Sequence, residues 1–301
     1  MTKIVTAGVS VVDFVFLVDE MPRRAEKYRA RGGEIMGGGG AANAAVAIAR
    51  LGGEALLASR IGVDHVGEMI ATGLAADGVD CSMLRRFAQC RSSFSSVFID
   101  QSGERQIVNF RDPTLPMEAG WLTAALPDDF DAALADTRWP DGAEVLMRTA
   151  RARGVPGVLD GEAPIREAEA ALRLASHIAF SAQGLRDWCG HDDLDKALAE
   201  VALETGAFVC VTDGARGVNW RHGSASGSEP AFVIAPVDTL GAGDVWHGAF
   251  ALLLGEGASP PEAIRFANAV AALKCQRTNG RAGYPTRAET EDFLKEARTC
   301  C

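Results

Sequence analysis

The stretch Val237-Asp238-Thr239-Leu240-Gly241-Ala242-Gly243-Asp244 ends a run of small residues on one carboxylate. Val245-Trp246-His247-Gly248-Ala249-Phe250 then reads as the opening of a buried helix. Small residues let a backbone come close to a ligand. The amides of Ala242, Gly243 and Asp244 are expected to converge where a helix begins and negative charge is favoured. A carboxylate beside such an anion hole suits removal of a hydroxyl proton while the amides steady a transferring phosphoryl group. By residue types alone Asp244 is also an ordinary helix N-cap, because Gly-x-Gly turns are common before helices.

Other groups of the same kind lie far away in sequence. Gly37-Gly38-Gly39-Gly40-Ala41-Ala42-Asn43-Ala44-Ala45 runs into Ala49-Arg50-Leu51-Gly52, so the amides of Gly38, Gly39 and Gly40 can approach a polar ligand ahead of a helix. Asp13 follows the first predicted strand, in the region outside strand ends where ligands bind in parallel sheets; a solvated turn aspartate is the plainer alternative. Cationic and amide residues are scattered nearby: Lys27, Arg105, Asn109, Arg111, and Arg138 in Ala135-Asp136-Thr137-Arg138-Trp139. Lys27, Asn109 and Arg138 come from three distant stretches, and their convergence would make a site for a phosphate or sulfonate. Each alone reads as a solvated surface charge, although Arg138 beside Trp139 is expected to be partly buried.

The elements that must position these groups alternate. Lys3–Val9, Ala55–Ser59, Ala132–Ala135, Gly157–Leu159, His177–Phe180 and Phe208–Thr212 read as strands. Ala41–Leu51, Val66–Asp77, Gly142–Arg153 and Ile165–Ala175 read as helices. That order implies an α/β fold with a parallel sheet covered on both faces. Phe14–Ile35 and Ser92–Phe110 break the rhythm with alternating, hairpin-like patterns, and antiparallel strands at the sheet's C-terminal edge would form a lid. A second subunit is the expected cover for that lid, giving a homodimer. Residues Gly223–Glu229 read as a surface loop.

At 301 residues and 48% hydrophobic content the chain has ample material for a core, and its net charge of −10 argues against nucleic acid as a partner. An anionic substrate would then need locally concentrated positive charge. No apolar run reaches the length of a membrane span and Met1-Thr2-Lys3 leads straight into strand-like sequence, so a cytoplasmic protein is expected. The seven cysteines show no Cys-x-x-Cys pair and no histidine at ligand spacing, and buried thiols are the plain reading. Cys300 and Cys301 read as an exposed, oxidisable pair.

Taken together, the Asp-Thr-x-Gly-Ala-Gly-Asp run, the glycine run to Gly52, Gly62-Val63-Asp64-His65-Val66-Gly67 and Thr212-Asp213-Gly214-Ala215-Arg216-Gly217 resemble the ribokinase-type (PfkB-type) carbohydrate kinases. The resemblance implies a ribokinase-like three-layer α/β/α fold with a mostly parallel central sheet and a small β-sheet lid. The core would be 1–12, 37–90 and 112–301, and the lid 13–36 and 91–111. It implies ATP and Mg²⁺, with Asp244 as base and Gly241, Ala242 and Gly243 as the anion hole. Asp13, Gly38, Gly39 and Asn43 would hold a sugar, and Thr212, Gly214, Gly217 and Asn268 the nucleotide. In some relatives a monovalent cation, K⁺, binds near positions matching Asp238 and the Gly280–Gly283 loop.

The segments around Lys27-Tyr28, Ala135–Trp139 with Asp141-Gly142-Ala143, Val158-Leu159-Asp160-Gly161, and Ala271-Ala272-Leu273-Lys274-Cys275 followed by Gly280-Arg281-Ala282-Gly283 are similar to the branch that phosphorylates 6-deoxy-6-sulfofructose at its 1-hydroxyl. There the positions matching Lys27, Asn109 and Arg138 hold the sulfonate. Kinases of fructose 6-phosphate or tagatose 6-phosphate, of a neutral sugar or of a nucleoside are the alternatives within the family. A catalytically inactive sensor is the remote one. The family's Asn-x-x-Glu motif, which organises the magnesium shell, is replaced by Ser181-Ala182-Gln183-Gly184. Asp136 and Asp160 are the acidic residues that could reach the metal through water.

Overall fold

The structure, a computed structural model, describes residues 1–278 and 280–299. Cys300 and Cys301 lie outside them. The chain opens with β1 (Lys3–Ala7), β2 (Val11–Leu17) and β3 (Gly32–Gly38), then α1 (Gly40–Arg50), β4 (Glu54–Gly62), α2 (His65–Ala76) and β5 (Leu84–Phe87). A hairpin of β6 (Phe94–Ile99) and β7 (Arg105–Phe110) precedes α3 (Gly120–Ala125). Alternation resumes with β8 (Ala132–Ala135), α4 (Pro140–Arg153), β9 (Gly157–Gly161), α5 (Glu169–Leu174) and β10 (His177–Ser181). Next come α6 (Ala182–Cys189), α7 (Leu194–Thr205) and β11 (Phe208–Thr212). A second hairpin, β12 (Val218–His222) and β13 (Ala225–Glu229), leads to α8 (Ala242–Gly255), α9 (Pro260–Cys275) and α10 (Arg287–Thr299).

Nine strands form the main sheet in the order β13-β12-β11-β10-β9-β8-β1-β4-β5. Its pairings are parallel from β11 through β5, and β12 and β13 are antiparallel at one edge. Successive side chains on a strand face opposite ways, and two buried clusters divide accordingly. Ile4, Ala132 and Leu134 pack with Val245 and Phe250 of α8 and Ile264 of α9. Val5, Ala133 and Ala135 pack with Leu146 of α4 and Val201 of α7. Strands with both faces covered must be apolar throughout, which is why β8 reads Ala-Ala-Leu-Ala. Among the described residues no helix is long and apolar enough to cross a membrane.

The small sheet runs β3-β2-β6-β7, with β2–β3 and β6–β7 antiparallel and β2–β6 parallel. Val12, Val15 and Val97 are buried, whereas Ile35, Ile107 and Val108 stay exposed. The two segments expected to form a lid therefore do pair with each other.

Several boundaries move for identifiable reasons. The strand expected over Gly157–Leu159 continues to Gly161, because Asp160 and Gly161 still pair with Ala179 and Phe180. The helix expected from Gly142 begins at Pro140, a residue whose fixed φ and missing N–H suit the first turn. Ile165–Ala175 divides into a short 3₁₀ turn, Arg166–Ala168, and α5. Gly223–Glu229 is not a loop: Ala225–Glu229 is the edge strand β13, paired antiparallel with β12. Its Gly/Ser composition hides the pairing, since a strand at a solvated edge needs no apolar side chains.

Candidate active site

α8 begins at Ala242, one turn earlier than a cap at Asp244 would require, and Gly241 caps it with a left-handed φ of 74°. The Ala242 amide donates to Thr239 O at 3.2 Å. The expected three-amide anion hole thus loses one member, leaving Gly243 and Asp244 in the first turn, where amides lack intrahelical acceptors. Gly243 is open: a Cβ there would meet nothing within 4 Å.

Asp244 is partly exposed at this turn, and its Oδ2 accepts from Asn43 Nδ2 at 2.7 Å. Asn43 sits in the first turns of α1 and is itself oriented by Arg281, whose Nε donates to Asn43 Oδ1 at 3.0 Å. Arg281 Nη2 also donates to Gly38 O at 3.3 Å. Burial pushes the Asp244 carboxyl up to about 7; the Asn43 bond opposes this, and the negative charges of Asp160 and Asp136 add to it. A carboxylate poised near neutrality is what a general base requires.

Behind Asp244, His247 has Nδ1 2.8 Å from Gly243 O and Nε2 3.2 Å from Ala179 O, so backbone engages both ring nitrogens. Its Nε2 is also 3.5 Å from Asp160 Oδ1. That oxygen is buried without a hydrogen-bond partner among the described residues. Burial, with the charges of Asp136 and Glu162, holds the Asp160 carboxyl well above the usual carboxylate range.

On the lid side, Asp13, Ser95 and Asn109 stand in register across β2, β6 and β7. Asn109 Nδ2 donates to Ser95 Oγ at 3.1 Å, and Ser95 bonds to Asp13 in turn. The Asp13 carboxyl is raised by burial, with the Ser95 bond and Arg281 opposing. Gly38 has no room for a side chain, since a Cβ would fall 2.3 Å from Asp13 Oδ2. Gly39 adopts φ 98°, with Val9 O 2.3 Å from where its Cβ would be.

The cationic residues distribute differently from the expectation. Arg138 lines a cavity of about 320 Å³ together with Arg60, Arg111, Ser93, Thr137 and Glu167. Arg60 is buried, its guanidinium lies 4.9 Å over the Trp139 ring, and burial lowers it to about 10. Arg60 Nε has no partner among the described residues, and burial and Arg138 together lower Arg111. Lys27 and Asn109 are exposed and are not among the residues lining that cavity, and Arg105 instead pairs with Asp238 at 3.1 Å. Lys27 lies on the long β2–β3 connection, which the sheet register does not fix.

A second cavity, about 520 Å³, brings Thr212, Gly214, Gly217 and Asn268 together with Phe232 and Trp246. Its wall reaches Ala242 and Gly243, so an apolar slot opens onto the anion-receptive turn. Asn268 is largely committed to the protein: Oδ1 accepts from Trp246 Nε1 at 2.8 Å and Nδ2 donates to Pro230 O at 3.1 Å. Outside both cavities, Cys189, His191 and Glu200 have donor atoms within 4.8 Å of one another, so a Cys-x-His spacing does gather a possible ligand set. Sequence reasoning assigned no role to Arg281, Arg60 or Trp246. Arg281 was the findable one, a lone cation in Gly280-Arg281-Ala282-Gly283.

Residues 1–287 match the pfkB family carbohydrate kinases. The chain is 28% identical to a ribokinase of Bacillus subtilis, over 98% of this chain and 100% of that protein. It is also 28% identical to a fructokinase of Vibrio alginolyticus, over 85% and 91%. A crystal structure from Agrobacterium tumefaciens, provisionally assigned as a ribokinase, superposes with a TM-score of 0.92 at 34% identity, covering 99% of both chains. The ribokinase of Thermotoga maritima gives 0.84 at 26% identity, covering 98% and 100%. The chain belongs to the pfkB family, has the ribokinase fold, and is an ATP-dependent sugar kinase.

The Asp244 environment yields a prediction independent of substrate. A carboxyl raised in the folded state stabilises the fold fully below its unfolded value near 3.8, and that stability is lost as pH rises through about 7. Asp244→Asn mimics the protonated form. It should therefore melt higher than the wild type at pH 8, with the gap closing toward pH 5. Equal melting temperatures at pH 8, read by differential scanning calorimetry, would remove this account of the site.

Proposed function

Within this family, we propose that the chain phosphorylates the 1-hydroxyl of 6-deoxy-6-sulfofructose with ATP, giving 6-deoxy-6-sulfofructose 1-phosphate. The observation that carries the reading is the cavity lined by Arg60, Arg111 and Arg138. In a chain of net charge −10, three arginines lining one small cavity outnumber its two carboxylates, Asp112 and Glu167, and suit an anionic 6-substituent. Fructose 6-phosphate or tagatose 6-phosphate is the second reading, favoured by the same guanidiniums, since a phosphate monoester is also an anion. The choice of sulfonate rests on the resemblance at Lys27, Asn109 and Arg138.

In this reading Asp13, Asn43 and the Gly38–Gly39 backbone hold the sugar hydroxyls, and Asp244 takes the proton of the 1-hydroxyl as it attacks the γ-phosphorus. The amides of Gly243 and Asp244 meet the charge that builds on the transferring group. The adenine lies in the slot lined by Thr212, Gly214, Gly217 and Asn268. For the Mg²⁺ that the family implies, Asp160 fits, because its buried Oδ1 lacks a partner. Asp136 fits less well, because it already accepts three backbone amides. Ser181 offers nothing, since its Oγ caps α6 through the Gly184 amide. When bound, Mg²⁺ supplies charge neutralisation at the phosphates.

The lid also supports a homodimer, because Ile35 on β3 and Ile107 and Val108 on β7, the two edge strands of the small sheet, are 61%, 54% and 61% exposed. Light scattering at micromolar concentration should give twice the chain mass. A fully active monomer would exclude the pairing.

Substrate class is read by comparing kcat/KM for 6-deoxy-6-sulfofructose, fructose 6-phosphate and fructose, with the sulfonate expected to lead. Arg138→Ala should raise KM for the preferred anionic sugar by about thirtyfold or more, the lower end for an unpaired buried charge contact. KM for ATP should hold within about twofold, because the nucleotide slot is separate from this cavity. Equal losses on anionic and neutral sugars would make Arg138 structural.

Asp244→Asn should lower kcat by about a hundredfold or more, as loss of a general base does, while nucleotide affinity stays within a few-fold. In the wild type kcat/KM should fall with decreasing pH below about 7, where the carboxyl takes up its proton. A profile flat to pH 5, or a variant keeping more than about a tenth of kcat, would sink the assignment.

A further inference from the structure

Lys274 lies in the last turn of α9 with its side chain 1% exposed. Its ammonium donates to Asp238 O at 2.9 Å and to Asp238 Oδ2 at 2.8 Å. The remaining oxygen, Asp238 Oδ1, accepts from the Leu240 amide at 2.9 Å and from Arg105 Nη2 at 3.1 Å. All three oxygens of Asp238 are therefore engaged, and two cations already face its one negative charge. The amides of Val237 and Asp238 both donate to Cys275 O, at 2.7 and 3.1 Å, which binds the same segment to the same helix end.

A free monovalent cation beside Asp238, as found in some relatives, does not fit this arrangement. It would need oxygens that the ammonium holds, and it would sit at contact distance from a like charge in a buried setting. We infer that the Lys274 ammonium does the work of that cation and that this kinase needs no K⁺. An ammonium carries the same unit charge, and its three N–H donors meet oxygen acceptors much as a bound alkali ion does. Lys274 is thus a positioning residue: through Asp238 and Leu240 it sets the turn that delivers Gly241–Asp244.

The test compares initial rates and melting temperatures in KCl, NaCl and tetramethylammonium chloride at constant ionic strength, using the best sugar of the panel above. Wild-type rates should agree within about twofold, and melting temperatures should not depend on the cation, because no differential binding exists to shift them. Lys274→Ala should lose at least about tenfold in kcat in tetramethylammonium and regain most of it in KCl or NH₄Cl, the signature of a vacated cation position. Wild-type activation of about tenfold or more by K⁺ would overturn the inference, and so would a Lys274→Ala variant that no cation restores. Should Lys274→Ala not fold, the wild-type rates and melting curves decide alone. Cation-independent turnover of any sugar supports the inference whichever sugar leads, so the substrate assignment can fail separately.

Discussion

The site is organised around a buried carboxylate. Asp136, at the end of β8, accepts the amides of Val9, Ala41 and Arg138 at 2.9, 3.0 and 2.8 Å. These come from the turn after β1, the start of α1 and the turn after β8, so one buried group fixes three segments at one edge of the sheet. A buried charge is tolerable only when matched in this way, and amides at a helix N-terminus are a good match. The contact is tight enough that Gly8 has no room for a Cβ, which would fall 2.2 Å from the Asp136 carboxyl. Fixing the start of α1 there brings Asn43 to Asp244, although 201 positions separate them in sequence.

The same arrangement sets the electrostatics. Asp136 is held by three backbone amides with the Arg138 charge beside it, and its negative charge still adds to the burial that raises Asp160 and Asp244. A carboxyl in such a place holds its proton more strongly than a surface aspartate does. Of the nearby cations, Arg60, Arg111 and Arg138 line one cavity, while Arg281 stands on the Asn43 and Asp13 side.

The layered α/β core was legible because its strands are short apolar runs and its helices carry Ala-rich faces, as in Lys3–Ala7 and Gly40–Arg50. The lid was legible from alternation in Ser92–Phe110. What escaped depends on contacts that no local pattern encodes. β13 looked like a loop because a Gly/Ser strand at an edge has no apolar signature. Arg281 reads in sequence as one cation among glycines, yet 238 positions away it orients Asn43. The expected Ala242 amide was lost to Thr239 O, a matter of one turn's geometry. Arg60 escaped because it sits inside β4, where a charged side chain reads as an exception to the strand rather than as the wall of a cavity.

The small sheet and the turn before α8 meet at one further point. Arg105, on β7, reaches Asp238, the residue that Lys274 also holds, with side-chain exposures of 31% and 22%. An ion pair that open to solvent adds little to stability. Its effect is on position: Asp238 bonds the Leu240 amide, and Leu240 leads directly into Gly241, the N-cap of α8. A lid strand is thereby linked, through two contacts and one peptide bond, to the start of the helix that carries Asp244. Lid placement and the geometry of the anion-receptive turn are then one problem rather than two. That coupling is useful in a site where a phosphoryl group must meet a sugar hydroxyl in preference to water.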